Sequence, residues 1–292
     1  MKRWKDKAER GSAWLIRLIT WLARTVGRPF CRGLLYPIVL YFVVTDKTAR
    51  RGSQEFLGEV LGRRARWTEV FAHIHAFAAT LLDRVYMASG EFDRFQVTIE
   101  GAALVTEALK AGKGCLLLGS HLGSFDLMML ANDALARQPI SVLMHIDPRA
   151  RLRRIAGIHD SGSSVIPLGR PDSLLRAYEA LESGRLVATL ADRVDGGAAS
   201  LQASFFGRPA AFPLGPHVLA ARAGAPVLMC FGLYEGGARY RIEFVEFGPP
   251  ADKGSRGAAL QPVVDRYAAQ LERYARRYPT NWFNFYPYWS AR

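Results

Sequence analysis

Cysteine is scarce in this 292-residue chain: Cys31, Cys115 and Cys230 are the only three, and they lie far apart. Their spacing excludes a disulfide framework and a zinc pattern, and it suits a reducing compartment. Several motifs are missing as well. There is no GxxxxGKS or GxxxxGKT, no GxGxxG and no HExxH, so phosphate-loop, dinucleotide and zinc-protease readings have no footing. Internal repeats and low-complexity linkers are also absent. Half of the residues are apolar and the mean hydropathy is +0.01, which excludes a disordered chain. A chain of this length buries a large core as one globular domain with an appendage.

Negative charge is also in short supply, with 26 Asp and Glu against 39 Lys and Arg, for a net charge of +13. The imbalance is local. Residues 1–66 hold 15 basic and 5 acidic residues, and the remaining chain is close to neutral. A nucleic-acid enzyme would interleave basic and aromatic residues across its working part. Here the arginines flank apolar sequence, a pattern that fits anionic lipid. Residues 12–26 have helical apolar spacing, with Arg10, Arg17 and Arg24 on one face. GLLYPIVLYFVVT (33–45) then runs 13 residues without a charge. By itself that is too short to cross ~30 Å of hydrocarbon. A helix docked on the main domain is the alternative. No small-residue cleavage site follows, so a removed signal peptide is not expected.

Residues 53–90 read as helical. His73 and His75, two apart, point to nearly opposite faces of a helix and cannot share a metal. From about residue 95, strand and helix signals alternate, as in an α/β sheet. Strands are expected at 95–100, 115–118, 140–145, 164–168, 185–190, 227–234 and 240–247, the last two as a hairpin over Gly236-Gly237. Helices are expected at 101–111, 124–137, 148–156, 171–183, 214–223 and 260–278. DGGAAS (195–200) reads as a loose loop, FFGRPAAFPLGP (205–216) as a fixed loop entering a helix, and the tail from Pro279 as strongly aromatic.

The chemistry centres on GCLLLGSHLGSFD (114–126), a strand followed by a polar bend and a helix start. Were 121–126 all helical, His121 and Asp126 would point ~140° apart. They meet only if His121 sits in the bend and Asp126 in the first helical turn, where the helix dipole favours a carboxylate. An ionised carboxylate fixes an imidazole's tautomer and raises its basicity, as general-base catalysis on a hydroxyl requires. Spacing alone serves equally well for a capped helix beside a loop histidine. Arg170, Asp192 and Arg193 follow strand ends. Arginines there suit a phosphate or carboxylate on a substrate, with surface ion pairs as the plainer reading. His145, His159 and His217 are isolated and read as ordinary core or surface histidines.

GSHLGSFD resembles the HX4D/E motif of the glycerolipid and lipid A acyltransferase superfamily. LLYPIVLYFVV (34–44), PLGRPDS (167–173), LADR (190–193) and FFGRPAAFPLGPHVLAARAGAPV (205–227) resemble its lipid A biosynthesis branch, and the likeness covers roughly 30–290. The resemblance implies an α/β fold: a single glycerolipid-acyltransferase-like domain (47–292) with a mixed central sheet flanked by helices. It also implies an N-terminal hydrophobic membrane helix within an anchoring segment (1–46). It implies acyl transfer from an acyl carrier protein thioester to a hydroxyl or amine of a membrane lipid. His121 would be the general base oriented by Asp126, and Arg170, Asp192 and Arg193 would bind substrate. No metal or dissociable cofactor is implied, and the site is expected on the cytoplasmic side of the bacterial inner membrane. Asp126 stands where the housekeeping lipid A enzymes have Glu, which keeps glycerolipid, ornithine lipid and aryl-polyene lipid acceptors open beside lipid A. A non-catalytic basic membrane protein on the same scaffold is the alternative of another class.

Overall fold

The computed structural model describes residues 25–110, 112–124, 127, 138–144, 164–194 and 197–289. The chain forms two compact units, one of residues 1–92 with 283–292 and one of residues 93–282. Compactness divides the chain at 92/93, and the expected boundary at 46 falls inside the first unit.

In the first unit, α1 (Arg28–Thr45) carries Cys31, Leu35, Val39 and Val43 as a buried stripe at i, i+4 spacing. Asp46 ends it and caps α2 (Lys47–Leu61), its carboxylate accepting from the N–H groups of Thr48 and Ala49 at 3.0 Å each. The stretch 53–90, expected as one helical run, is broken. Gly62 in the left-handed conformation ends α2, and Glu69 accepts from the Arg66 N–H at 2.6 Å to start α3 (Trp67–Ala88). No described helix is by itself long and apolar enough to cross a membrane. Only α1 and α2 together reach that length, across a 93° bend. Buried Asp83 of α3 holds Arg28 through two hydrogen bonds, at 2.7 and 2.8 Å. The aromatic tail packs here: Phe283 and Phe285 lie 5.2 and 5.1 Å from the Phe77 ring.

The second unit is built on a seven-stranded sheet: β1 (Gln96–Glu100), β2 (Cys115–Gly119), β3 (Ile140–Met144), β4 (Ser164–Pro167), β5 (Leu186–Leu190), β8 (Val227–Gly236) and β9 (Arg239–Glu246). The order is β1-β9-β8-β2-β5-β3-β4. Every pairing is parallel except β8 with β9, which makes the sheet mixed. β2 is buried along its whole length, which is why it reads as a continuous apolar run. Helices α4 (Ala102–Lys110), α5 (Ser173–Glu182), α6 (Gly215–Ala223) and α7 (Gln261–Arg277) flank the strands.

The segments expected as loops at 195–200 and 205–216 contain a hairpin instead, β6 (Ser200–Phe205) with β7 (Arg208–Pro213). Pro209 and Pro213 argue against a strand in a large sheet, but a two-stranded ribbon leaves outward N–H positions where proline costs nothing. Its two-residue turn puts Phe206 at φ 54°, alone among the described non-glycine residues in being left-handed, followed by Gly207 at 73°. Glu272 of α7 secures that turn by accepting from the Phe206 N–H at 2.5 Å.

Candidate active site

Strand register creates the site. β2 and β5 are parallel neighbours with Gly119 opposite Leu190, so His121 and Asp192 each stand two residues beyond a paired position. Both leave the carboxyl ends of adjacent strands, where open α/β sheets hold ligands. His121 Nδ1 lies 2.8 Å from Asp192 Oδ1, and the His121 backbone N–H donates to Oδ2 at 3.0 Å. The indole N–H of Trp282 also donates to Oδ2, at 3.0 Å.

Asp192 is fully buried, while the His121 side chain is 29% exposed. Burial pushes the Asp192 carboxyl up. The His121 charge, hydrogen bonds from the ring and backbone N–H of His121, and the Arg193 guanidinium outweigh burial and hold the carboxyl at about 2. An ionised carboxylate only accepts, so Nδ1 carries the proton and Nε2 keeps the lone pair. The pair can therefore take a proton at Nε2 and stabilise the resulting imidazolium.

The bend carrying His121 is clamped from two directions. The Gly123 N–H donates to the Asn281 carbonyl and the Ser124 N–H to the Gly232 carbonyl of β8, both at 2.7 Å. Gly123 has φ 82°, and a Cβ there would lie 2.0 Å from the Gly232 oxygen. A Cβ on Gly232 would in turn lie 2.2 Å from the Ser124 oxygen. The backbones touch, so neither position tolerates a side chain. Ser120 Oγ accepts from the Leu122 N–H at 3.2 Å, and the Tyr267 hydroxyl of α7 donates to the Gly119 carbonyl at 2.8 Å. This geometry is a held histidine on a buried acid, at the carboxyl ends of two parallel strands.

Residues 5–291 match the family described as bacterial lipid A biosynthesis acyltransferase. The chain belongs to that family and is an acyltransferase. It is similar to phosphatidylinositol mannoside acyltransferase from two strains of Mycobacterium tuberculosis. Each is 28% identical over 234 residues, covering 77% of this chain and 67% of the relative.

Of the residues singled out in the sequence, this acyltransferase brings His121, Asp192 and Arg193 together. The described contacts of the Asp192 carboxylate include His121 and Trp282, so Asp192 is an acid on the imidazole that the 121–126 spacing does not reveal. Asp126 lies outside the described residues, as do His145, His159 and the basic segment 148–156. Arg170 is exposed in the turn after β4, three strands from β2 or ~14 Å at ~4.8 Å per strand. His217 is buried in α6 against Phe247 and Tyr267, and burial lowers its pKa to about 4. Burial pushes the Cys115 thiol up to about 12 and the Cys230 thiol higher still, so neither is a nucleophile. Asn281 and Trp282 were missed as site residues. The only signal for them was the aromatic tail, which says nothing of where an indole N–H points.

Proposed function

We propose that His121 is the general base of an acyl transfer, with Asp192 as its orienting acid. Nε2 takes the proton of an acceptor hydroxyl as the oxygen attacks a thioester carbonyl. The C–O bond forms, the C–S bond breaks, and the imidazolium returns the proton to the leaving thiolate. No acyl-enzyme is needed. The observation carrying this reading is the 2.8 Å contact of His121 Nδ1 with a buried, ionised Asp192. Asp126 of the HX4D motif would add a second carboxylate near the same imidazole.

The donor we propose is an acyl carrier protein thioester. Arg149, Arg151, Arg153 and Arg154 supply the positive charge that would steer such an acidic partner. The acceptor is a membrane glycolipid. The family's description favours lipid A, and the mycobacterial relatives favour a phosphatidylinositol mannoside. Arg193, with Arg170 as a more distant candidate, would hold an anionic head group.

A membrane-bound protein with its site on the cytoplasmic face is the matching location. The support is α1, whose Phe30, Tyr36, Leu40, Tyr41 and Val44 are exposed, together with the excess of arginine and lysine around it. Lipid mass spectrometry of cells with and without this protein names the acceptor and chain length together. The mechanism is tested by His121→Ala, which is expected to abolish transfer from acyl carrier protein while leaving membrane association intact. Undiminished transfer would refute it.

A further inference from the structure

Trp282 touches Asp192 and the residue next to His121. Its indole N–H reaches Asp192 Oδ2 at 3.0 Å, and its backbone pairs with Leu122, the residue after His121. It is fully buried, edge-on to Phe205 with ring centroids 5.1 Å apart. Asn281, one residue earlier, fixes the approach: its side chain accepts from the Tyr234 N–H at 2.7 Å and donates to the Tyr234 carbonyl at 3.1 Å. This segment is therefore tied to β8, and the indole arrives at the carboxylate from a rigid base.

Phenylalanine would fill much of the same space against Phe205. The indole N–H adds a directional donor on one chosen oxygen. The His121 backbone N–H gives Oδ2 one anchor, and the indole N–H gives it a second from a different segment. With Trp282 and the His121 N–H both on Oδ2, Oδ1 is the oxygen left for Nδ1. We infer that Trp282 is a positioning residue of the acyl transfer: its indole N–H locks the Asp192 carboxylate so that Oδ1 stays on His121 Nδ1. The inference rests on His121 being the base. Among the described residues, the charged and titratable groups nearby include Arg193, whose charge favours the carboxylate, and Tyr267 of α7, whose hydroxyl donates to Gly119. The Phe205 side is apolar.

Without the donor the carboxylate is freer to turn from Nδ1, the imidazolium loses part of its charged partner, and His121 should titrate at lower pH. A merely structural role would lower the folded fraction without moving that midpoint. The test is a histidine-labelled NMR titration of the full chain as wild type and Trp282→Phe. Transfer from a lauroyl acyl carrier protein thioester to vesicles of total inner-membrane lipid is measured alongside. The expected results are a lowered His121 midpoint, a kcat lowered about tenfold and a KM within twofold, the loss set by one hydrogen bond to a charged group. Added to Asp192→Asn, Trp282→Phe should cost less than twofold more, because the carboxylate it locks is gone. An unmoved or raised midpoint, or an equal further loss in the Asp192→Asn background, overturns the inference. Should Trp282→Phe fail to fold, the wild-type indole N–H resonance decides: it must shift with the His121 titration, and a flat resonance overturns the inference. Full activity in His121→Ala refutes the base itself, a failure distinct from either of these.

Discussion

Two histidines in this protein each place Nδ1 on a side-chain oxygen, and the two sites are otherwise opposites. In the first unit, His73 of α3 meets Ser53 Oγ of α2 at 2.9 Å, both residues fully buried. The rings of Phe56, Phe283 and Phe285 surround it, the nearest centroid 4.8 Å away. In the second unit, His121 meets the charged Asp192 and keeps part of its ring open to solvent. A neutral hydroxyl offers an imidazolium little stabilisation, and a sealed ring meets no substrate. A hydrogen-bonded histidine becomes a base through its charged partner and its access, not through the hydrogen bond alone.

The largest effects should separate the two sites. His121→Ala is expected to slow acyl transfer about a thousandfold, within the range of general-base contributions. Asp192→Asn keeps the shape but loses the charge and the tautomer control, and a loss of about a hundredfold in kcat with little change in KM is expected. A steady-state comparison of both variants checks this, and a fully active Asp192→Asn would remove the charged partner from the argument. His73→Ala should behave oppositely. It leaves a cavity and an unpaired Ser53 hydroxyl, for about 3 kcal/mol of stability in urea unfolding, with kcat per folded molecule within about twofold of wild type. A catalytic loss in His73→Ala as large as that of His121→Ala would break the comparison.

The effect that vanishes at neutral pH belongs to a third histidine. His217 titrates near 4 in the fold against 6.5 when unfolded, because burial opposes its charged form. Above pH 6.5 both states are neutral and it contributes no pH dependence. As pH falls from 6.5 to about 4 the unfolded chain takes up the proton first, and stability is lost. At ~1.4 kcal/mol per pH unit the loss amounts to ~3 kcal/mol. His217→Phe should flatten that limb of the unfolding free energy and leave neutral-pH activity alone. An unchanged limb in the variant would show that His217 is not its source.

Most strands and helices of the second unit are legible in the sequence, because each strand is a short apolar run and each helix a periodic one. The β6–β7 hairpin is not, since prolines and a left-handed Phe206 disguise it. In the first unit the break at 62–66 escapes notice, because apolar spacing continues on both sides of it. His121 stands out through its Gly/Ser bend. Asp192 stands out as a strand-end residue, but its partner does not.

The sequence by itself determined the α/β alternation, the basic and apolar N-terminus, and a histidine placed in a bend between strand and helix. Those features follow from local periodicity and turn chemistry, which neighbouring residues decide. Only the tertiary structure brought Asp192 to that histidine. Asp192 is 71 residues from His121, and Trp282 is a further 90 residues from Asp192. The parallel register of β2 with β5 and the tie of Asn281 to β8 bring them within hydrogen-bond reach. Neither pairing leaves a mark on sequence spacing, because hydrogen bonds between distant segments form whatever their separation along the chain.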